Sequence, residues 1–426
     1  MNIIYLVLGR LLRFSLGGTC IFLVLPTLFV TELIWPIRIG IIRYQRIGHL
    51  SGNCDIFLRS LQLSKNPHKL NYILVAYDPA NQQLLRMWKR INFPRVSIIE
   101  SKILLRIFFA WRTILKKTRF WDDQQVKATE FHIMAKTKPL ISFTPEEEDK
   151  GRQKLQEMGI GKNDWFVCFH ARDGAYYRKW RPQFENHWEK TDFRNVDINL
   201  YFDAAKLIAK RGGFALRYGA IVEKPLPNFG IDKIIDYSTN FRSDFMDIYL
   251  AAKCHFFLGS ASGPDAIPSA FNTRVVSAAH FPYNLAHFHK NDMMVPRLLL
   301  SPKTNKLVTF YEAQESGYYV GWTSASAQHS TMNMYKMQTP DPADIAAASA
   351  DMLDQENGKT IDADLFAIRE YYAARYLSHS VGWEYGSRIS PSFAKRYKHL
   401  IVPPGWDGSI PQTIIEQSMN NRVVKK

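Results

Sequence analysis

Asp164-Trp165-Phe166-Val167-Cys168-Phe169-His170-Ala171-Arg172-Asp173-Gly174 is an apolar run that ends abruptly in histidine, arginine, aspartate and glycine. A strand buried on both faces of a parallel sheet reads as such a run. The polar residues after it then fall at the carboxyl edge of the sheet, where open α/β sheets bind ligands. A guanidinium there suits phosphate, because its planar fork donates two hydrogen bonds at once. The stretch therefore predicts a site for a phosphorylated donor. Strand alternation sets His170 and Arg172 on one face, with Asp173 just beyond in the loop.

Outward from it, strands and helices alternate. Towards the N-terminus, runs at 37–44, 71–78 and 95–99 read as strands with helical patterns between them, the β-α-β-α-β order of a parallel sheet. Thr144-Pro145-Glu146-Glu147-Glu148 opens a helix, with Thr144 as cap, Pro145 in the first turn and acids at the positive end of the dipole. Towards the C-terminus, strands are expected at 213–219, 233–237, 255–259 and 274–277, with helices at 199–211, 244–253 and 265–271 between them. Late helices follow at 344–353 and 362–378. The expected fold class is α/β and GT-B-like: two Rossmann-like doubly wound domains with a crevice between them, an N-terminal membrane-associated helix and a helical C-terminal tail. The boundaries read as 1–36 (membrane-associated segment), 37–141 (acceptor domain), 142–345 (nucleotide-sugar domain) and 346–426 (tail).

Several constellations carry candidate chemistry. Arg172 is placed to clamp a donor diphosphate and stabilise charge on the leaving group. His170 is placed to donate to phosphate or act as base, and Asp173 is a second candidate base. Gly259-Ser260-Ala261-Ser262-Gly263 follows a strand and precedes a helix. Gly259 and Gly263 allow close backbone approach, N–H groups at a helix start bind anions, and Ser260 and Ser262 add hydroxyls. The run is neither a P-loop nor a GxGxxG fingerprint. Arg217 ends another strand and offers a second cation, with pairing to Asp236 as the plainer alternative. Asp244 lies at the start of the 244–253 helix, as a donor-site residue or as a simple helix-start acid. His49, in Arg46-Ile47-Gly48-His49, is the candidate base for an acceptor hydroxyl, since imidazole titrates near neutrality. No metal site is expected. Asp362-Ala363-Asp364 sits at a helix start, and His280, His287 and His289 lack a completing ligand set.

The 426 residues carry a net charge of +16, with 46% hydrophobic and 22% charged residues, which describes a globular chain with anionic partners. Zinc-finger spacing, RRM-like signatures and basic tails are missing from the sequence, which argues against nucleic acid. Cys20, Cys54, Cys168 and Cys254 are scattered and read as reduced, buried thiols. Residues 14–31 carry no charge and approach the ~20 residues that span a bilayer. Arginines flank them on both sides, so a monotopic or re-entrant segment fits best. Residues 102–120 form a basic amphipathic pattern with Ile103, Ile107, Trp111 and Ile114 on one side, suited to anionic lipid.

With these residues in hand, the chain resembles a bacterial family of glycosyltransferases tied to surface-polysaccharide synthesis. The resemblance runs over Ile41 to Lys395 and rests on 46–53, 169–173, 217–219, 235–238, 241–247, 257–263 and 388–393. The His170-x-Arg172 strand end and the later Ser-Gly loop are also similar to the donor site of GDP-fucose-dependent fucosyltransferases, where the arginine binds the donor diphosphate. The long 176–195 loop departs from that pattern. The resemblance implies a GT-B fold and metal-independent sugar transfer, without supplying a base. The expected partners are a nucleotide-sugar co-substrate, a lipid-linked or nascent glycan acceptor and the cytoplasmic face of a bacterial inner membrane, with no further cofactor and no nucleic acid. The rival readings are a non-catalytic membrane module that binds glycan or phosphorylated lipid, and a nucleotide-sugar epimerase.

Overall fold

The computed structural model describes residues 24–64, 69–91, 95–124, 130–180, 194–281, 283, 285–316, 318, 334–375 and 384–409. Two compact units divide the chain, one formed by Met1–Lys127 with Lys136–Phe143, the other by Ala128–Ala135 with Thr144–Lys426.

In the first unit, β1 (Ile37–Ile41), β2 (Asn71–Ala76) and β3 (Val96–Glu100) form a parallel sheet in that order, with Ile37 opposite Asn71 and Tyr72 opposite Val96. The helices α1 (Cys54–Gln62) and α2 (Gln82–Lys89) make the two crossovers. After β3, α3 (Lys102–Leu115) is capped by Ser101, whose hydroxyl accepts from Leu104 N–H at 3.3 Å. It carries the chain back to the free side of β1. There Ile39 N–H donates to Phe120 O at 2.7 Å, Asp122 N–H donates to Ile39 O at 2.9 Å, and Ile39 bridges Trp121 in parallel. The strand β1 therefore lies between β2 and a returning segment, which makes it the point where the winding direction reverses.

The helix α3 buries Leu105, Phe108 and Leu115 and leaves Ile103 and Ile114 exposed. The side counted as apolar from the sequence is thus not the side that packs. The spacing Leu105, Phe108, Leu115 runs down the other face, and the intervening basic residues had masked it. Before β1, residues 24–34 are helical. Phe29 meets Phe120 edge to face at 4.9 Å, while Val30, Leu33 and Ile34 stay exposed. Cys20 and the first part of 14–31 lie outside the described residues. Among the described residues, no helix is long and apolar enough to cross a membrane.

The second unit opens with α4 (Pro145–Glu157), where Thr144 and Glu147 form the reciprocal capping box. Its main sheet holds β4 (Phe166–Phe169), β5 (Phe214–Arg217), β6 (Ile234–Ile235), β7 (Phe257–Gly259), β8 (Val275–His280), β9 (Met293–Pro296) and, much later, β13 (Arg388–Ile389). All pairings are parallel, and the order is β13-β9-β8-β7-β4-β5-β6. Counted along the chain, this is the doubly wound order in which the first strand, β4, and the fourth, β7, are neighbours. A small antiparallel sheet of β10 (Leu298–Leu300), β11 (Leu307–Val308) and β12 (Lys336–Gln338) stands beside it.

Burial on both faces explains the apolar strand sequences. Val167, Phe169, Ala215, Leu258 and Val276 join one core with α5 (Phe202–Lys210) and with the helix Pro342–Glu356. The alternate residues Cys168, Leu216 and Phe257 are equally buried and face the other way, where Tyr218 packs on Phe257 and its hydroxyl donates to Asp247 O at 2.9 Å, in α6 (Asp244–Lys253). The helix α7 (Ala266–Ala270) follows β7, and α8 (Phe310–Glu315) follows the small sheet. The expected separate tail is not one. In α9 (Pro342–Glu356) and α10 (Ala363–Ala374), Ile345, Ala348, Met352, Ile368 and Tyr372 belong to the main core, and β13 completes the sheet. Described cysteines Cys54, Cys168 and Cys254 are buried free thiols.

Candidate functional site

In the second unit the winding reverses between β4 and β7, and the two residue runs singled out from the sequence follow these two strands. Ligands of doubly wound sheets bind in the crevice at the carboxyl ends of such a strand pair. The pairing is direct: His170 N–H donates to Leu258 O at 2.9 Å, and Arg172 N–H donates to the Ser260 hydroxyl at 2.9 Å. That last bond joins residues 88 positions apart and ties the two loops together.

The strand stops at Phe169, so strict alternation does not extend to Arg172. His170 leans towards β5. Its Nδ1–H donates to Tyr218 O at 2.9 Å, because a carbonyl can only accept, and this leaves Nε2 as the acceptor of the neutral ring. Burial lowers its pKa, against the pull of Asp265 and Asp173, and Arg217 lowers it further. Arg172 turns the other way. It is 7% exposed, and its guanidinium bonds to the Asn195 side-chain oxygen. Nearby, Arg297 follows β9 and donates to Ala279 O, Arg194 O and Asn195 O. Burial pushes the Arg297 pKa down to about 10; the charge of Arg172 acts in the same direction, and Tyr201 opposes it. Two buried guanidinium groups thus lie near one another, both bonded to Asn195.

The 259–263 turn is held from beneath. The Ser260 hydroxyl is 2% exposed and is used inside the fold. Tyr201 OH donates to Gly259 O at 3.2 Å. Ser262 donates to Asp265 through both N–H (3.3 Å) and hydroxyl (3.2 Å). A Cβ on Gly259 would come within 2.2 Å of the Asp265 carboxylate. The close approach that demands glycine there is therefore to Asp265, which corrects the expectation that the space is kept for a ligand. Ala261 adopts φ +53°, a region in which a Cβ is strained. Its carbonyl accepts from Arg194 at 2.7 Å, and its N–H has no partner among the described residues. Gly263 opens a single turn that leads into α7.

The other sequence candidates are placed as follows. Asp173 accepts from Ala175 N–H (3.0 Å) and Glu223 N–H (3.2 Å), so it braces its own loop. Arg217 is buried, donates to Lys224 O at 2.8 Å and lies 3.6 Å from Asp236, the plainer of its two readings. Asp244 pairs with Arg242 at 2.6 Å; Arg242 also meets Asp247 at 2.8 Å, and Asp247 accepts from Tyr237 OH at 2.7 Å. This network anchors α6, and Asp244 serves it. His49 belongs to the first unit, in a π-helical turn (His49–Asn53), with Nδ1 2.9 Å from Asn53 Oδ1. Burial lowers its pKa; the Asn53 bond opposes this, and Arg46 and Arg43 lower it further. The ring is therefore a neutral imidazole near pH 7.

Sequence reading missed a chain of titratable groups under the turn. Asp292 Oδ2 lies 2.6 Å from His287 Nδ1. Burial lowers the His287 pKa, but Asp292, by charge and hydrogen bond, and Asp265 raise it above the ordinary value. Asp265 feels both His287 and His170; burial nevertheless raises its pKa. His280 donates through Nε2 to Leu285 O at 2.7 Å and accepts through Nδ1 from Ser277 at 2.8 Å, and burial pushes it down to about 3. The clustering of His280, His287 and His289 was visible, but Asp265 as their neighbour across the turn was not. Among the described residues, no group of histidine, cysteine and carboxylate side chains could hold a metal. Asp362 caps α10 by accepting from Asp364 and Leu365 N–H.

Neither a protein-family model nor a curated protein matches the chain. Among solved structures it is similar to a family 9 glycosyl transferase from Veillonella parvula, at 8% identity over 70% of this chain and 96% of that one, with a TM-score of 0.40. It is similar to ADP-heptose LPS heptosyltransferase II from E. coli, at 14% identity over 61% and 90%, with a TM-score of 0.38. It is also similar to E. coli heptosyltransferase WaaC with ADP, at 13% identity over 66% and 96%, with a TM-score of 0.29. These likenesses are remote, and the fold stands on the strand order and register given above.

Proposed function

We propose that this chain is a glycosyltransferase that uses a nucleotide-sugar and seats the donor diphosphate at the β4/β7 switch point of its second unit. The observation that carries the reading is the union, through the Arg172–Ser260 bond, of the strand-end His170–Asp173 and the 259–263 turn where a doubly wound sheet binds nucleotides. Ala261 N–H supplies a backbone donor and the Arg172 guanidinium supplies charge to phosphate; His170, neutral and with its Nδ1–H given to Tyr218 O, offers only the acceptor Nε2, which suits a hydroxyl of the donor rather than its phosphate. Ser260, Ser262, Gly259 and Asp265 hold the turn in shape. The proposed transfer is metal-independent, as the family resemblance implies, with protein cations stabilising the diphosphate leaving group.

The proton of the acceptor hydroxyl goes to His49 or Asp173, and His49 has the property a base needs, being held neutral near pH 7. The acceptor is a surface glycan or its lipid-linked precursor, met at the cytoplasmic face of a bacterial inner membrane. The exposed Val30, Leu33 and Ile34 (63, 83 and 87%), with Ile103 at 71%, support that placement. The sugar is left open between hexose, deoxyhexose and heptose.

The test is calorimetry of the full chain with ADP, UDP, GDP and CMP and with their sugar conjugates. One nucleotide diphosphate is expected to bind at micromolar affinity, and Arg172→Ala to weaken it at least about tenfold, the equivalent of one charge-assisted hydrogen bond. Silence across the whole set, or full affinity in Arg172→Ala, overturns the reading.

A further inference from the structure

The first unit has a switch point of its own. The chain winds from β1 outward through β2 and β3, then α3 returns it to the opposite side of β1 at Trp121. A cavity of about 440 Å³ opens there, at the carboxyl end of β1, within the range of small-molecule sites. Three separate stretches wall it: the chain leaving β1, the face of α3 that carries Phe109, Arg112 and Lys116, and the returning segment with Trp121 and Asp123.

Its chemistry is one-sided. Arg43 and Arg46 enter from the β1 loop, and Arg112 and Lys116 from α3. Asp123 is the one carboxylate among the described lining residues. It lies 2.5 Å from Lys116 and 3.4 Å from Arg112, and it accepts from Trp121 Nε1–H at 2.7 Å. Burial raises its pKa, but the bonds from Lys116 and Trp121 outweigh that and hold it below the usual carboxylate range. Asp123 is thus ionised and offsets only part of the positive charge. The excess is felt inside the cavity, since Arg46 and Arg43 act to lower the pKa of His49, a lining residue. The remaining walls include Tyr44, Phe109 and Trp121, flat surfaces on which the apolar face of a sugar ring can rest.

We infer that this cavity binds an acidic sugar, a pyranose bearing a carboxylate or a phosphate. The inference rests on the glycosyltransferase reading only in making that sugar the acceptor; the binding itself does not depend on it. His49, on the cavity wall, is then the group beside the acceptor hydroxyl.

The experiment titrates the full-length protein with glucose 6-phosphate, glucuronate, glucose and inorganic phosphate, following heat and tryptophan fluorescence. At least one acidic sugar is expected to bind about tenfold or more tightly than glucose and than inorganic phosphate, and to weaken as salt is raised. Which of the two does so tells phosphate from carboxylate. Arg43→Gln and Lys116→Gln alter exposed side chains, so the fold is expected to survive, with circular dichroism as the check. Each is expected to weaken the acidic sugar by about tenfold or less and to leave glucose unchanged. Trp121→Phe is expected to remove the fluorescence response. Equal binding of glucose and both acidic sugars, equal binding of inorganic phosphate, or unchanged affinity in both charge variants overturns the inference. Nucleotide binding in the same preparation separates the two proposals. Nucleotide bound without acidic sugar sinks this inference alone, and acidic sugar bound without nucleotide sinks the donor-site reading alone.

Discussion

Ser260→Ala tests the joint on which the donor site is built. The Ser260 hydroxyl accepts Arg172 N–H at 2.9 Å, and both residues are buried. Alanine fits the space but leaves a buried N–H without its acceptor, which costs about 1–3 kcal/mol. For a unit of this size each kcal/mol moves the midpoint by roughly 2–4 °C, so a drop of about 2–12 °C is expected in thermal unfolding. The Tyr201 hydroxyl braces the same turn, donating to Gly259 O at 3.2 Å. Tyr201→Phe alone is expected to cost about 1 kcal/mol, and the double variant less than the sum, because the two changes break one shared network. The bond sets the spacing across the crevice, so nucleotide affinity is expected to fall in Ser260→Ala by about tenfold, worth 1.4 kcal/mol. A midpoint within a degree of wild type, together with unchanged nucleotide affinity, would refute the reasoning.

Four further outcomes follow from the same region. His280 is buried, neutral and depressed to about 3 from 6.5, so its share of stability is complete above about pH 6.5 and is lost as pH falls towards 3. Between pH 7.5 and 5 this amounts to roughly 2 kcal/mol, and urea unfolding of His280→Asn should show a flatter acid limb; parallel curves would contradict it. His287 works with the opposite sign, since its raised pKa gives stability that is present below about pH 6.5 and lost as pH rises through the folded value. Gly259→Ala drives a Cβ to 2.2 Å from the Asp265 carboxylate, which is itself 2% exposed and cannot swing away; a loss of about 1–3 kcal/mol or of soluble protein is expected, and a wild-type midpoint would show that the turn relaxes freely. Ala261→Gly relieves a φ of +53° and is expected to raise the midpoint by a few degrees, about 1 kcal/mol, whereas a lower midpoint would mean that the strain is not stored there.

The strands were legible where both faces are buried. Phe166–Phe169 and Phe257–Gly259 are apolar at every inward and outward position because helices cover each side. The helix at 145–157 was legible because its cap, proline and acids are all local. What stayed hidden was short or non-local. The strand β9 ends in Pro296 and β13 is two residues long, so neither carries a periodic signal. The strand β8 runs on past Ser277 to His280 through a bulge, held by the Ser277–His280 bond that no periodicity announces. At the site, the sequence located His170, Arg172 and the Gly-Ser turn, but not what each touches. Arg172 finds Asn195, Ser260 finds Arg172, and Gly259 yields its space to Asp265. Such partners are chosen by tertiary packing, and spacing along the chain does not encode them.

The two switch points differ in how their charge is used, and that difference bears on what each binds. In the second unit Arg217 faces Asp236 and Arg242 faces Asp247, so these guanidinium groups stabilise the fold and have little left to offer a ligand. On the proposed reading, anion recognition there falls to backbone N–H groups and to an arginine already oriented by Asn195, an arrangement with little freedom to rearrange. In the first unit Arg43 and Lys116 are exposed around an open cavity, with Asp123 the sole described carboxylate among its walls. Flexible exposed cations recognise charge but not one exact shape. On the proposed reading, the rigid site of the second unit makes donor identity strict, and the cavity of the first unit is the more permissive of the two.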